Sequence, residues 1–184
     1  MKTPRTDRKL SEAEFFLQQL TKEYEKGGRH SGYVSFKHYE EESHKTPPTG
    51  PSQAFEYYLS AFLSSARSVT LVLQYEAKEA YDAWFPEWVE KLSPGDRELF
   101  KFMNEQRVAE IHKLGVQFLM EEKVVSSGQL AGLFEIPPVI GVSEWHLKGP
   151  GDKSQDAVGV CERYLTLLVQ LLREFRQTAT IKRL

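Results

Sequence analysis

Residues 55–73 (FEYYLSAFLSSARSVTLVL) constrain the fold more than any other stretch of this chain. Phe55, Tyr58, Leu59, Phe62, Ala66, Val69 and Leu73 recur at spacings of three and four, which gathers them on one face of an α-helix. The opposite side carries no charged stripe; it holds Ser60, Ala61, Ser64, Ser65 and Ser68. Small residues let neighbouring helices approach closely, so the pattern predicts a central helix buried on more than one side. Between Glu56 and Glu76 its only charge is Arg67. That arginine is either a snorkelling or ion-paired side chain at the edge of a bundle, or a cation lining a functional site.

The other helical signals arrange themselves around this one. Ser11 followed by Glu14 is a capping-box signature, with Phe15, Phe16, Leu17 and Leu20 behind it, and predicts a helix over 12–26 stopped by Gly27-Gly28. Residues 1–10 are basic, polar and aperiodic, as in a flexible N-terminal arm. The central helix is expected to run on toward Tyr81. Pro86 then suits the first turn of a short helix, and the SPGD turn at 93–96 restarts another. Trp84, Phe85 and Trp88 form an aromatic knot; beside Asp82, Glu87 and Glu90, whose charges repel a phosphate backbone, it reads as packing.

A further helix is predicted over 96–114, and its stretch 100–114 (FKFMNEQRVAEIHKL) is unusual. At about 100° per residue, Phe100, Met103, Ile111 and Leu114 fall within roughly 80° of one another, and Arg107 lies inside that arc. His112, five residues on, is turned about 140° from Arg107. An arginine on an apolar stripe with a histidine at its flank looks like chemistry rather than packing. The last helix, 157–177, is marked by Ala157, Cys161, Tyr164, Leu168, Leu172 and Phe175, with Arg173 and Arg176 near its end to suit the helix dipole.

Two segments resist a helical reading. Residues 27–53 form a long polar connection, either a mobile loop or one carrying a short strand at 33–36. Between 115 and 156, VQFLMEEKVV can continue the preceding helix past Gly115, while LFEIPPVIGVSEWHLKG holds two short apolar pieces parted by Pro137-Pro138, as in a small hairpin or ordered insertion. The expected architecture is therefore an all-α bundle of four to five helices. It forms one domain over 11–184, with a small irregular or β insertion before the last helix.

Composition excludes some functions. A chain of 184 residues with 40% hydrophobic and 27% charged residues suits one ordinary globular domain. The formal net charge of −2 gives no global pull toward nucleic acid, so polyanion binding must come from a local patch. Cys161 is the lone cysteine and falls on an apolar helix face, where a small buried thiol is expected in a reducing compartment. No stretch has signal-peptide character or 18 consecutive apolar residues, which points to a cytoplasmic protein with no membrane partner. His30, His38 and His44 have no metal-ligand spacing and read as solvated loop histidines. KGPGDKS at 148–154 has Asp152 where a phosphate loop needs its last glycine. No metal and no cofactor is expected.

The small-residue-rich helix YYLSAFLSSARSV, together with a later helix carrying R-V-A-E-I-H, resembles the HEPN superfamily (higher eukaryotes and prokaryotes nucleotide-binding). These are helical domains with an arginine and a histidine four to six residues apart. The resemblance covers residues 55–114, with the closing helix matching by architecture alone. It implies RNA binding and, in many members, metal-independent RNA cleavage at a cleft shared by two domains, hence a homodimer here. A two-fold dimer also brings two copies of each cation into one groove, which a single helix cannot do. On this reading Arg107 binds the scissile phosphate and His112 moves the proton. Arg67 supplies a second cation, and Glu105 and Glu110 orient the pair. The family commonly has a polar residue directly after the arginine, where this chain has Val108. The alternative is a noncatalytic helical module whose site has decayed and whose long segments bind a protein partner. A small-molecule enzyme stands third and requires a deep pocket near Arg67.

Overall fold

In the computed structural model the described residues are 3–27, 32–34, 52–112, 118–126, 139–148 and 154–181. The elements follow one another as α1 (Pro4–Gly27), β1 (Gly32–Val34), α2 (Gln53–Glu76), α3 (Lys78–Lys91), α4 (Pro94–His112), β2 (Phe118–Ser126), β3 (Val139–Lys148), β4 (Ser154–Asp156) and α5 (Ala157–Ile181). The architecture is the expected helical bundle with a small β insertion before the last helix.

Helix α2 is the centre of the bundle. Ser52 caps it, its side chain accepting the Phe55 N–H at 3.1 Å. The predicted apolar row is buried at Phe55, Leu59, Phe62, Ala66, Val69 and Leu73, and Leu63, Ser65 and Thr70 are buried on other sides. Ser65 and Ser68 return their hydroxyls to carbonyls of the preceding turn, so small polar residues enter the interior without unmet donors. Helix α1 packs along α2, and α5 closes the bundle with Ala157, Cys161, Tyr164, Leu168, Leu172 and Phe175 all buried.

Four boundaries differ from those the sequence suggests. Residues 4–10 are not a frayed arm but the first turns of α1, and Ser11 lies inside that helix. Pro4 is well suited to a first helical position. The orphan N–H groups of Arg5 and Thr6 are taken by the Glu76 carboxylate, 70 residues away in the chain. The central helix stops at Glu76 because Ala77 leaves helical geometry (φ −145°, ψ 44°), and α3 starts immediately after it. Pro86 sits inside α3 rather than in its first turn. The carbonyl it leaves unserved belongs to Asp82, an exposed residue that water can reach. Helix α5 extends to Ile181, so Arg173 and Arg176 are not in its last turn; Arg176 instead bonds Asp7 and the Thr3 hydroxyl of α1.

The insertion's strands β2, β3 and β4, joined by β1 from between α1 and α2, form a four-stranded antiparallel sheet with β3 paired to β2, β1 and β4. The stretch that can continue the preceding helix past Gly115 holds instead strand β2 from Phe118, paired residue for residue with β3 from Phe118↔Leu147 to Ser126↔Val139. Its run of Val, Phe and Leu favours a pleated surface over a helix once a partner strand is present. Of the two apolar pieces parted by Pro137-Pro138, the second forms β3, while the first and the two prolines lie outside the described residues. The short strand foreseen at 33–36 is β1. Asp156 joins sheet to bundle: its carboxylate accepts the Gly159 N–H at 2.5 Å, capping α5, and the Tyr24 hydroxyl at 3.1 Å.

Candidate functional site

Helices α2, α3, α4 and α5 enclose an open cleft of about 520 Å³. From α2 it receives Arg67, Thr70, Leu71 and Gln74; α4 adds Arg97, Phe100, Lys101 and Asn104. The floor is aromatic: Tyr81 and Phe85 of α3 are stacked with ring centroids 4.7 Å apart, and Phe100 meets Tyr164 of α5 edge-on at 5.3 Å. Helical spacing explains the α4 contribution. Residues 97, 100, 101 and 104 recur at three and four, so one side of the helix presents two cations, a ring and an amide.

The cleft's charge balance is positive. Arg67 is half-buried and donates to the Thr70 hydroxyl at 2.9 Å. Among the described residues no carboxylate lies within ion-pair distance of it. Burial pushes the Tyr164 hydroxyl up to about 12 and the Tyr81 hydroxyl higher still, while the Arg67 charge pulls both downward. Both phenols are thus neutral donors beside a guanidinium. Arg97 is committed to structure, donating to the carbonyls of Glu90 and Leu92 at the end of α3. Lys101 approaches Glu105 only to 4.0 Å, and its side chain is 79% exposed. Asp82 is the cleft's carboxylate; the Lys78 ammonium at 2.6 Å and the Gln74 amide at 2.7 Å answer it and hold its acid below the ordinary range.

Of the residues the sequence singles out, Arg67 lines this cleft, which is open rather than deep. Glu105 is half-buried beside Lys101 and does not line it. Arg107, Glu110 and His112 lie in the last turns of α4, and their side chains are outside the described residues, as are Ile111's side chain and Leu114. The buried row of α4 is Leu99, Phe102, Met103 and Gln106. Of the stripe drawn through Phe100, Met103, Ile111 and Leu114, Met103 is buried and Phe100 is half-buried against the core.

Sequence reasoning missed Lys101, Asn104, Tyr81 and Tyr164. The α4 spacing of Arg97, Lys101 and Asn104 was a visible signal. Tyr164 was hidden among core positions of α5. The aromatic knot is packing, as expected: Trp88 is buried with its indole N–H donated to Glu174 at 2.8 Å, and only Phe85 of the three also reaches the cleft. Cys161 is a fully buried thiol whose acid burial pushes well up.

Among the described residues no group of three or more His, Cys, Asp and Glu side chains is placed to hold a metal, and no helix is long and apolar enough to cross a membrane. His30, His38 and His44, and the glycine-rich turn at 149–153, lie outside the described residues. No family model, no curated protein and no solved structure matches this chain.

Proposed function

We propose that this chain is a HEPN-like RNA-binding protein that acts as a homodimer and cleaves RNA without a metal, with Arg107 and His112 as its catalytic pair. The observation that carries this reading is the course of α4. The side of the helix that lines the cationic, aromatic cleft reaches Asn104, and Arg107 follows within the next turn. An RNA strand held along that side meets a local positive patch on a chain whose net charge is −2.

In the dimer, one copy's His112 takes the proton of a ribose 2′-hydroxyl, and the 2′-oxygen attacks the adjacent phosphorus. The 5′-oxygen leaves with a proton from the other copy's His112. The products are a 2′,3′-cyclic phosphate and a 5′-hydroxyl. Arg107 from each copy neutralises the charge that grows on the phosphoryl oxygens.

Light scattering with filter binding of a mixed RNA pool at several salt concentrations tests the first half of the proposal. A dimer whose RNA affinity falls steeply with salt supports it. A monomer that retains no RNA contradicts it. Cleavage in the presence of chelator, compared with Arg107→Ala and His112→Ala, tests the second half.

A further inference from the structure

The outward side of α2 is unlike that of the other long helices. Among the described residues five large hydrophobic side chains are exposed, and three of them, Tyr57 (63%), Leu71 (50%) and Tyr75 (76%), stand on α2. The other two, Phe15 and Val169, are single residues among charges: α1 presents Arg8, Lys22 and Glu25 to solvent, and α5 presents Glu162, Arg163 and Arg173. On α2 the line through Tyr57, Ala61, Ser64, Ser68, Leu71 and Tyr75 runs along the helix at spacings of four and three, opposite the buried row. The helix's only charges before Glu76, Glu56 and Arg67, lie about 80–100° to one side of that line. The Arg67 guanidinium is drawn further away, toward the Thr70 hydroxyl and the cleft.

We infer that this face of α2 is the interface between two copies of the chain, the two helices packing antiparallel about a two-fold axis level with Ala66. The spacing reads the same in both directions, so that axis sets one copy's Tyr57 against the other's Tyr75, Ala61 against Leu71 and Ser64 against Ser68. Every pairing is reciprocal, and the bulky Leu71 meets the small Ala61. Serines beside the axis let the backbones approach closely. The Ser68 hydroxyl is already donated to the Ser64 carbonyl at 2.8 Å, so its burial leaves no donor unmet. Polar groups gather at the ends of the line: the Tyr57 hydroxyl takes the Gln53 amide at 2.6 Å, and Arg5 lies 5.9 Å from the centre of the Tyr75 ring. At about 200 Å² for a tyrosine, the exposed parts of Tyr57 and Tyr75 come to roughly 550 Å² over two copies, and Leu71 with the small residues brings the total to about 1,000 Å². That meets the lower bound for a specific interface and predicts a dimer that dissociates on dilution. The inference rests on the homodimer of the proposed function and not on its cleavage chemistry.

Sedimentation velocity of the full chain across a dilution series tests this. Leu71→Glu, which sets a carboxylate against each Ala61, is expected to raise the dimer Kd about tenfold or more. Val169→Glu on α5 is expected to leave it unchanged. Both positions are exposed, so both variants keep the helical circular dichroism of the wild type. A short bis-maleimide reads the register, since the native Cys161 is buried. Ala61→Cys mixed with Leu71→Cys is expected to give cross-linked dimers, and either protein alone is not, because the antiparallel pair holds like positions about 15 Å apart along the helix. Wild-type protein that stays monomeric at the highest concentration overturns the interface and the homodimer together, and leaves the face to another occupant. A dimer that Leu71→Glu does not weaken, or that links only like positions, overturns the interface while leaving the homodimer standing. A dimer that Leu71→Glu weakens, but whose wild type leaves RNA uncut, supports the interface and contradicts the cleavage reading.

Discussion

Glu76, the last residue of α2, accepts two hydrogen bonds from Thr6 in the first turn of α1, one from its N–H at 2.9 Å and one from its hydroxyl at 2.6 Å. A third comes from the Arg5 N–H at 3.0 Å. One carboxylate therefore closes the end of the central helix and caps the start of another, which is also where a negative charge best suits a helix dipole.

Burial disfavours the Glu76 charge, but the Thr6 hydroxyl and the two N–H groups outweigh it and hold the acid below its ordinary value. The stabilisation is thus fully present above the unfolded carboxylate value and is lost as pH falls through the lower folded value. Glu76→Gln is expected to cost about 1–2 kcal/mol at pH 7. Urea unfolding of both proteins should show their midpoints converging as the pH is lowered below the carboxylate range.

This contact also shows what the sequence could convey. The central helix was legible because all its information is local: the three-four spacing of Phe55 to Leu73 and the small residues between. The start of α1 was not, because its cap comes from a residue on another helix. Strand β2 was not legible for the same reason, since FLMEEKVV shows its preference only against β3. In the site, Arg67 stood out as the lone charge on an apolar helix. Tyr81 and Tyr164 did not, because a tyrosine at core spacing looks the same whether or not one edge of it borders a cleft.

Gly159 lies in the first turn of α5, where a Cβ would meet the Asp156 carboxylate oxygen at 2.6 Å. That oxygen is already held by the Gly159 N–H, and the other by Tyr24. Alanine normally gains about 1 kcal/mol over glycine within a helix. Gly159→Ala is expected to forfeit that gain by displacing the cap, so thermal melts should show no rise in Tm.

The two sides of α4 should respond differently to truncation. Leu99 is 3% exposed in the row that faces the core, so Leu99→Ala is expected to cost about 2–4 kcal/mol in urea unfolding. Asn104 lines the cleft and is exposed, and Asn104→Ala should stay within about 0.5 kcal/mol of wild type. Comparable losses at both positions would mean that the cleft side is core.

Cys161 is fully buried, and desolvation with the nearby Asp156 and Glu162 charges pushes its thiol well up. Native protein is expected to leave an aromatic disulfide reagent unreacted at pH 8, with one equivalent consumed on unfolding in urea. Rapid reaction of the folded chain would contradict the packing of α5.

The central claim is a composite Arg107 and His112 site formed by two copies of the chain. Its most direct test is incubation of a mixed RNA pool in chelator with protein of known size by light scattering, wild type beside a folded His112→Ala variant. A dimer that yields 2′,3′-cyclic phosphate ends, and a variant of the same size that yields none, is the predicted result. RNA left intact by the wild-type dimer, or cut equally by both proteins, would contradict it.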